Sequence, residues 1–280
     1  NDRSKRMAEE MNYPGMGTQI PAKKERSGIS GSTLKIIAIV TMLIDHIGAS
    51  VLGRLLQTHG INELNVADIS ALTQWMADNS VLFWSYTIMR MIGRVAFPIF
   101  CFLLIQGFLH THDVKKYAAR LLAFALISEL PFDLAFKGKI DFSYQNVFFT
   151  LFIGLMTMIA FRWIEEHTDW SGWQRVILYI AALVCGIVVA ELLQTDYAGK
   201  GVVCIMALYI FRKTKVQQII AGCVAFCWEL TAPIAFLPIA FYNGKRGLKI
   251  KYFFYAFYPV HLLILYLVVC LMGMGNMPAM

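Results

Sequence analysis

The 280-residue chain lacks the cysteine spacing of either a disulfide framework or a zinc site. Its six cysteines, Cys101, Cys185, Cys204, Cys223, Cys227 and Cys270, all fall within apolar runs, where a thiol acts as a small hydrophobe. Cys223 and Cys227 share a helical face at i,i+4, but no His or further Cys joins them at ligand spacing, so no metal is expected. Residues 1–32 have no apolar core of the length a signal peptide requires. Polar and rich in Lys, Arg, Glu, Gly and Pro, they read as a disordered cytoplasmic tail. The net charge is +7, yet the basic residues form no continuous stripe, which argues against a nucleic-acid partner. No internal repeat, low-complexity tract or second domain is visible.

What the chain has in quantity is hydrophobicity: 58% apolar residues and a mean hydropathy of +0.58. That balance predicts an all-α, polytopic membrane helix bundle, with lipid as its main surroundings. Apolar runs predict spans near 34–53, 86–109, 118–136, 144–163, 174–193, 197–211, 216–231, 232–242 and 252–273, about nine helices within a range of eight to ten. Pro233 and Pro238 make 216–242 ambiguous between two short helices and a kinked span with a re-entrant piece. Lys23, Lys24 and Arg26, then Lys115, Lys116 and Arg120, then Arg212, Lys213 and Lys215, then Lys245, Arg246, Lys249 and Lys251 fall on one side if the spans alternate. This places the N-terminus in the cytoplasm and the connection 55–80 outside. The acidic connection 164–173, with Glu165, Glu166 and Asp169, fits the scheme least well.

The residue pair most in need of explanation is Asp45-His46, deep inside the first apolar run, where ionisable groups are costly and mark function. Lys35 lies eleven residues before His46, which brings it to nearly the same helical face and roughly 16 Å away along the axis. That separation is similar to the extended arm of a pantetheine group, with its phosphate end at Lys35 and its thioester at His46. Asp45 cannot face His46 from the adjacent helical position, so it is read as supporting the site through another helix. Glu129, about as deep in its own span, is the first candidate to orient the imidazole. Arg94 suits either an anionic group or a buried carboxylate, the latter drawn from Glu129, Asp133, Glu191 and Glu229. His261 follows Pro259, whose missing N–H breaks the helical ladder and shapes a cavity. Phe97-Pro98 has the same kink potential but is read as packing. The aromatic run 251–258 reads as an interfacial belt or an adenine platform, and Asn243-Gly-Lys-Arg-Gly247 as a flexible basic turn suited to phosphates.

Read in order, Leu34-Lys-Ile-Ile-Ala-Ile-Val-Thr-Met-Leu-Ile-Asp-His-Ile-Gly48, Gly93-Arg-Val-Ala-Phe-Pro98, Gln106-Gly-Phe108, Ser128-Glu-Leu-Pro-Phe-Asp133 and Tyr258-Pro-Val-His261 resemble the TraX family over roughly residues 34 to 270. TraX is associated with acetylating the N-terminus of conjugative pilin, and it is similar to a wider group of membrane acyltransferases. In the related acyltransferase-3 family an Arg stands eleven residues before a catalytic His; here Lys35 keeps the charge but not the planar fork. The resemblance implies one transmembrane acyltransferase domain over 33–275, in a bacterial inner membrane, using acetyl-CoA as co-substrate. Its acceptor would be an amine, such as a pilin or peptide N-terminus, with a hydroxyl as the lesser choice. His46, Asp45, Glu129 and His261 become the expected catalytic group, and Lys35, Arg94, Arg120, Lys245 and Arg246 the expected CoA-binding group. His46 would serve as general base or carry the acetyl group itself. The rival class is a proton-coupled transporter or channel using Asp45, His46, Glu129 and His261 as its path.

Overall fold

The computed structural model describes residues 27–65, 67–167, 169–248 and 251–279. The tail expected over 1–32 lies largely outside them. The described residues are helical, with two isolated β-bridges and no strand. Helix α1 (Gly31–Ile47) runs through a π-helical stretch, Gly48–Leu52, into α2 (Gly53–Thr58). Then come α3 (Ile69–Asp78), α4 (Ser80–Gly93), α5 (Ala96–His110), α6 (Val114–Lys137), α7 (Val147–Glu166), α8 (Gly172–Leu192), α9 (Ala198–Ile210), α10 (Lys215–Ala225), α11 (Phe236–Ala240) and α12 (Lys251–Leu271).

Short polar residues start these helices. Ser30, Asp68, Asp113 and Thr214 each accept from a backbone N–H three residues on, and Asn146 accepts from Phe148, filling donors a helix leaves unpaired. The N–H of Lys116 holds the Asp113 carboxyl below its usual range. Gly138, at φ +68°, ends α6 in a left-handed conformation that side chains rarely adopt.

Five helical stretches are long and apolar enough to cross a membrane: Gly31–Thr58, Ser80–His110, Val147–Glu166, Gly172–Leu192 and Phe253–Leu271. The reading as a membrane protein rests on them. The outer helix α8 turns Trp173, Val176, Ile177, Ile180 and Val184 outward, as a lipid-facing helix would. Helix α6 is 24 residues long, but Arg120, Glu129 and Asp133 interrupt its apolar run. It packs against α7 and α12, which bury Glu129 and Asp133.

The expectation of separate spans at 216–231 and 232–242 is not met. Helix α10 has 11 residues and α11 has 5, together with a 3-10 turn at Ala232–Ala235. Eleven residues rise about 16 Å, half of a bilayer core. The segment instead forms a hairpin. Lys215 Nζ donates to the Tyr242 carbonyl at 2.9 Å at its base, and Phe226 packs on Phe236 at 5.9 Å between its arms. Near its tip Thr231 donates to the Met91 carbonyl at 2.6 Å. Of the two alternatives, division into two short helices is the one this geometry matches.

Backbone contacts also bring the start of α1 to the basic turn at 245–246. Gly31 N–H and Ser32 N–H donate to the carbonyls of Lys245 and Arg246, joining the start of α1 to the turn after α11. At that end Arg212 forms a forked pair with Glu165 at 3.0 and 2.9 Å. The acidic connection 164–173 therefore sits among the basic segments because one of its carboxylates is matched by a cation there.

At the opposite end, Arg54 is fully buried although no carboxylate among the described residues faces it in an ion pair. Its guanidinium donates to the carbonyls of Met277, Ser50 and Ala135 at 2.7, 2.7 and 2.8 Å, and to Ser50 Oγ at 2.9 Å. One side chain thus ties the π-helical stretch, α6 and the segment after α12. Arg54→Ala leaves these carbonyls unpaired, and we expect a loss on the order of 3 kcal/mol. Thermal unfolding in detergent should show a clearly lower midpoint; an unchanged midpoint would mean that the knot carries no stability.

Candidate functional site

Helix α1 brings His46 to the bundle interior, and α12 brings His261 to meet it from 215 residues away. His46 Nδ1 and His261 Nε2 are 2.7 Å apart, with ring centroids at 5.0 Å and planes nearly parallel. His261 Nδ1 lies 2.7 Å from the carbonyl of Phe257. A carbonyl only accepts, so His261 Nδ1 carries a proton, and the neutral ring then offers Nε2 as an acceptor. His46 must donate to it from Nδ1. Its own Nε2 is left with an unshared lone pair.

The backbone around this pair is irregular in ways that suit it. The π-helical stretch begins two residues after His46, and such stretches recur at functional sites because they re-aim side chains. Phe136 and Tyr258 meet the His46 ring edge-on at 5.2 and 5.9 Å, restricting its rotation.

Asp45 faces α4 rather than His46. Its carboxylate pairs with Arg90 at 2.5 Å, while its other oxygen is buried with no partner among the described residues. Gly93 allows this approach: a Cβ there would lie 2.1 Å from that of Asp45. The break between α4 and α5 falls at Arg94-Val95, four residues before Pro98, whose ring excludes the carbonyl of the residue at that distance. Pro98 therefore ends α4 as well as packing within α5. Arg94, at the break, pairs with Glu229 near the hairpin tip at 3.1 Å.

These groups line one cavity of about 290 Å³. His46, Asp45, Arg90 and Arg94 form one wall, Phe100, Phe132, Phe136 and Tyr258 another, and Lys137, Tyr144, Asp196, Tyr197 and Ala279 the side away from the basic end. Asp196 sits between Gln194 at φ +49° and Tyr197 and Ala198 at φ +66° and +42°. Left-handed residues with side chains cost roughly 1 to 3 kcal/mol each and persist where surrounding structure holds them. The Asp196 N–H donates to the Gln145 carbonyl at 2.8 Å, and Thr150 Oγ1 donates to the Asp196 carbonyl. Tyr144 donates its hydroxyl to Asp196 Oδ1 at 2.9 Å.

Of the residues expected to act together, the cavity brings together Asp45, His46 and Arg94, with His261 directly behind His46. Glu129 does not orient the imidazole. It lies buried on α6, where its carboxylate accepts from the backbone and side chain of Asn146 at 3.1 and 2.5 Å. Lys35, Arg120, Lys245 and Arg246 do not line the cavity. Lys35 stands over the Phe254 ring at 5.3 Å, so part of the aromatic run holds this lysine. Between Lys35 and His46, Ile39 and Met42 pack with Ala96, Phe132, Tyr258 and Leu262 in one buried cluster. Among the described residues no three metal-ligating side chains converge.

Arg90, Lys137, Tyr144 and Asp196 escaped the sequence reading. Arg90 carried a usable signal, a cation inside an apolar run; Asp196 lay between two runs and looked like an ordinary connection.

The hydrogen-bond chain fixes an observable. In ¹⁵N-histidine NMR spectra at neutral pH, His46 should appear as the Nδ1–H tautomer, and His261→Phe should abolish that preference. An Nε2–H signal for His46 in the wild type would reverse the direction of the chain.

Comparison with known proteins agrees with the order of motifs. The chain is 26% identical over 264 residues to a probable fimbrial assembly protein, FimC of serogroup H1, from Dichelobacter nodosus; the alignment covers 84% of this chain and 94% of that protein. No solved structure matches the chain. The family model described as TraX protein matches residues 30–269, and the chain belongs to the TraX family.

Proposed function

We propose that the protein is an acetyl-CoA-dependent acetyltransferase of the bacterial inner membrane, with its N-terminus in the cytoplasm and an amine as acceptor. The observation that carries this reading is the free lone pair on His46 Nε2 at a cavity wall, held there by the bond from Nδ1 to His261. A base oriented from its far nitrogen is the arrangement proton transfer requires. As the acceptor nitrogen bonds to the acetyl carbonyl carbon, His46 takes its proton. The C–S bond then breaks, and the proton passes to the departing thiolate. Arg90 and Arg94 each engage one carboxylate in an ion pair and retain further N–H groups for the oxyanion that forms between these steps.

The basic end suits the donor. Lys35, Arg120, Lys245 and Arg246 would hold the phosphates of CoA, and the roughly 16 Å from Lys35 to His46 is the reach its pantetheine arm needs. The Ile39 and Met42 packing has to part for the thioester to arrive. At about 290 Å³ the cavity is at the small end of ligand pockets, enough for the reacting ends of two substrates and not for CoA entire. The acceptor would come from the side of Lys137, Tyr144 and Asp196. The similarity to a protein named for fimbrial assembly favours the N-terminus of a pilus subunit.

His46→Ala should lower acetyl transfer by at least about 100-fold while leaving membrane insertion in place. The assay follows thiol release and acceptor mass with purified protein. A variant that kept more than a tenth of the wild-type rate would remove His46 from the chemistry, and a wild type that never consumed acetyl-CoA would favour a transport role.

A further inference from the structure

The charges around the cavity do not cancel, and the residue left over is Asp196. Each cation lining the cavity is matched by a carboxylate: Arg90 by Asp45 at 2.5 Å, Arg94 by Glu229 at 3.1 Å, and Lys137 by Asp133 at 3.0 Å. Asp196 is joined to no cation by an ion pair at contact distance among the described residues; Arg94 and Arg90 act on it only from farther off, and the Tyr144 hydroxyl, at 2.9 Å, is its side-chain partner. A half-buried carboxylate with one neutral donor keeps acceptor capacity for a charged one.

We propose that Asp196 holds the acceptor as a cationic primary amine within the cavity, beside His46. An ammonium has three donors, so it can bond the carboxylate with one N–H and turn another toward the His46 lone pair. Neutralising the unmatched charge gives the cavity a preference for a monocation over a hydroxyl or an acylated amine, which also lets the product leave: once acetylated, the nitrogen carries no charge. Asp196 acts in binding and positioning; the bound ammonium first gives one proton through His46 to bulk water, and the neutral amine then attacks as its next proton goes to His46 and on to the departing thiolate. The chemical sequence rests on the acetyltransfer reading, whereas amine capture does not and can be measured without acetyl-CoA.

The test uses the full-length protein in detergent and two probes, triglycine amide with a free N-terminus and the same peptide N-acetylated, titrated by NMR or by thermal shift. The wild type should bind the free amine and discriminate against its acetylated twin. Asp196→Asn retains the shape and an oxygen for the Tyr144 hydroxyl, and should weaken free-amine binding by about 10- to 100-fold, the usual worth of a charge-assisted bond. Tyr144→Phe keeps the charge and should keep the discrimination. In acetyl transfer, Asp196→Asn should raise KM for the amine more than it lowers kcat. Equal binding of both probes by the wild type, no binding of either, or unchanged discrimination in Asp196→Asn would overturn the proposal. Should Asp196→Asn fail to fold, Asp196→Ser is read in the same way, and Asp196→Glu, which keeps the charge, should retain the discrimination. Amine binding that depends on Asp196 in a protein without acetyl transfer would leave this inference standing and sink the enzymatic reading; intact transfer with an indifferent Asp196→Asn would do the reverse.

Discussion

The contact on which the site depends is the 2.7 Å hydrogen bond between His46 and His261. In an apolar interior an unpaired imidazole nitrogen is costly, so each ring needs a partner, and the Phe257 carbonyl ends the chain because it can only accept. That one-way end decides which nitrogen of His46 meets the cavity. The same bond couples α1 to α12, and the cluster of Ile39, Met42, Phe132, Tyr258 and Leu262 packs around the joint. Fold and chemistry share this contact, since movement of either helix disturbs the tautomer.

Around the joint, the polar groups are arranged in matched pairs rather than as isolated charges. Asp45 with Arg90, Arg94 with Glu229 and Asp133 with Lys137 each join different turns or segments, and together they confine the cavity. Arg54 follows another solution, surrounding its charge with carbonyl oxygens from three segments. Both arrangements answer one constraint: a bundle with lipid outside leaves its buried charges no water to fall back on.

The sequence made the helical class and the depth of His46 legible, because apolar periodicity and a lone ionisable residue are local signals. The first, fourth, fifth and last spans match apolar runs closely for that reason. It made α10 and α11 poorly legible, since composition does not say whether an apolar run stays one helix or folds back on itself; the hairpin depends on Lys215 meeting Tyr242 and Thr231 meeting Met91. Glu129 was misplaced through an argument from depth alone. Two residues at one level on different helices need not face each other, and Glu129 faces Asn146. His261 was identified as lining the site, but its role as the partner of His46 depends on a pairing across 215 residues that no local pattern encodes.

The hairpin formed by α10, the 3-10 turn and α11 also bears on how the molecule moves. Its helical pieces of 11 and 5 residues have few internal bonds compared with the helices of 20 and more beside them. Segments of this kind open locally at lower free energy than the body that holds them. Because the tip carries Glu229 and Thr231, such an opening would release Arg94 and the Met91 carbonyl together while α1 and α12 stayed paired. Hydrogen exchange would then divide the site into two units: a slow one bearing the imidazoles, and a faster one that sets when Arg94 is free of its carboxylate.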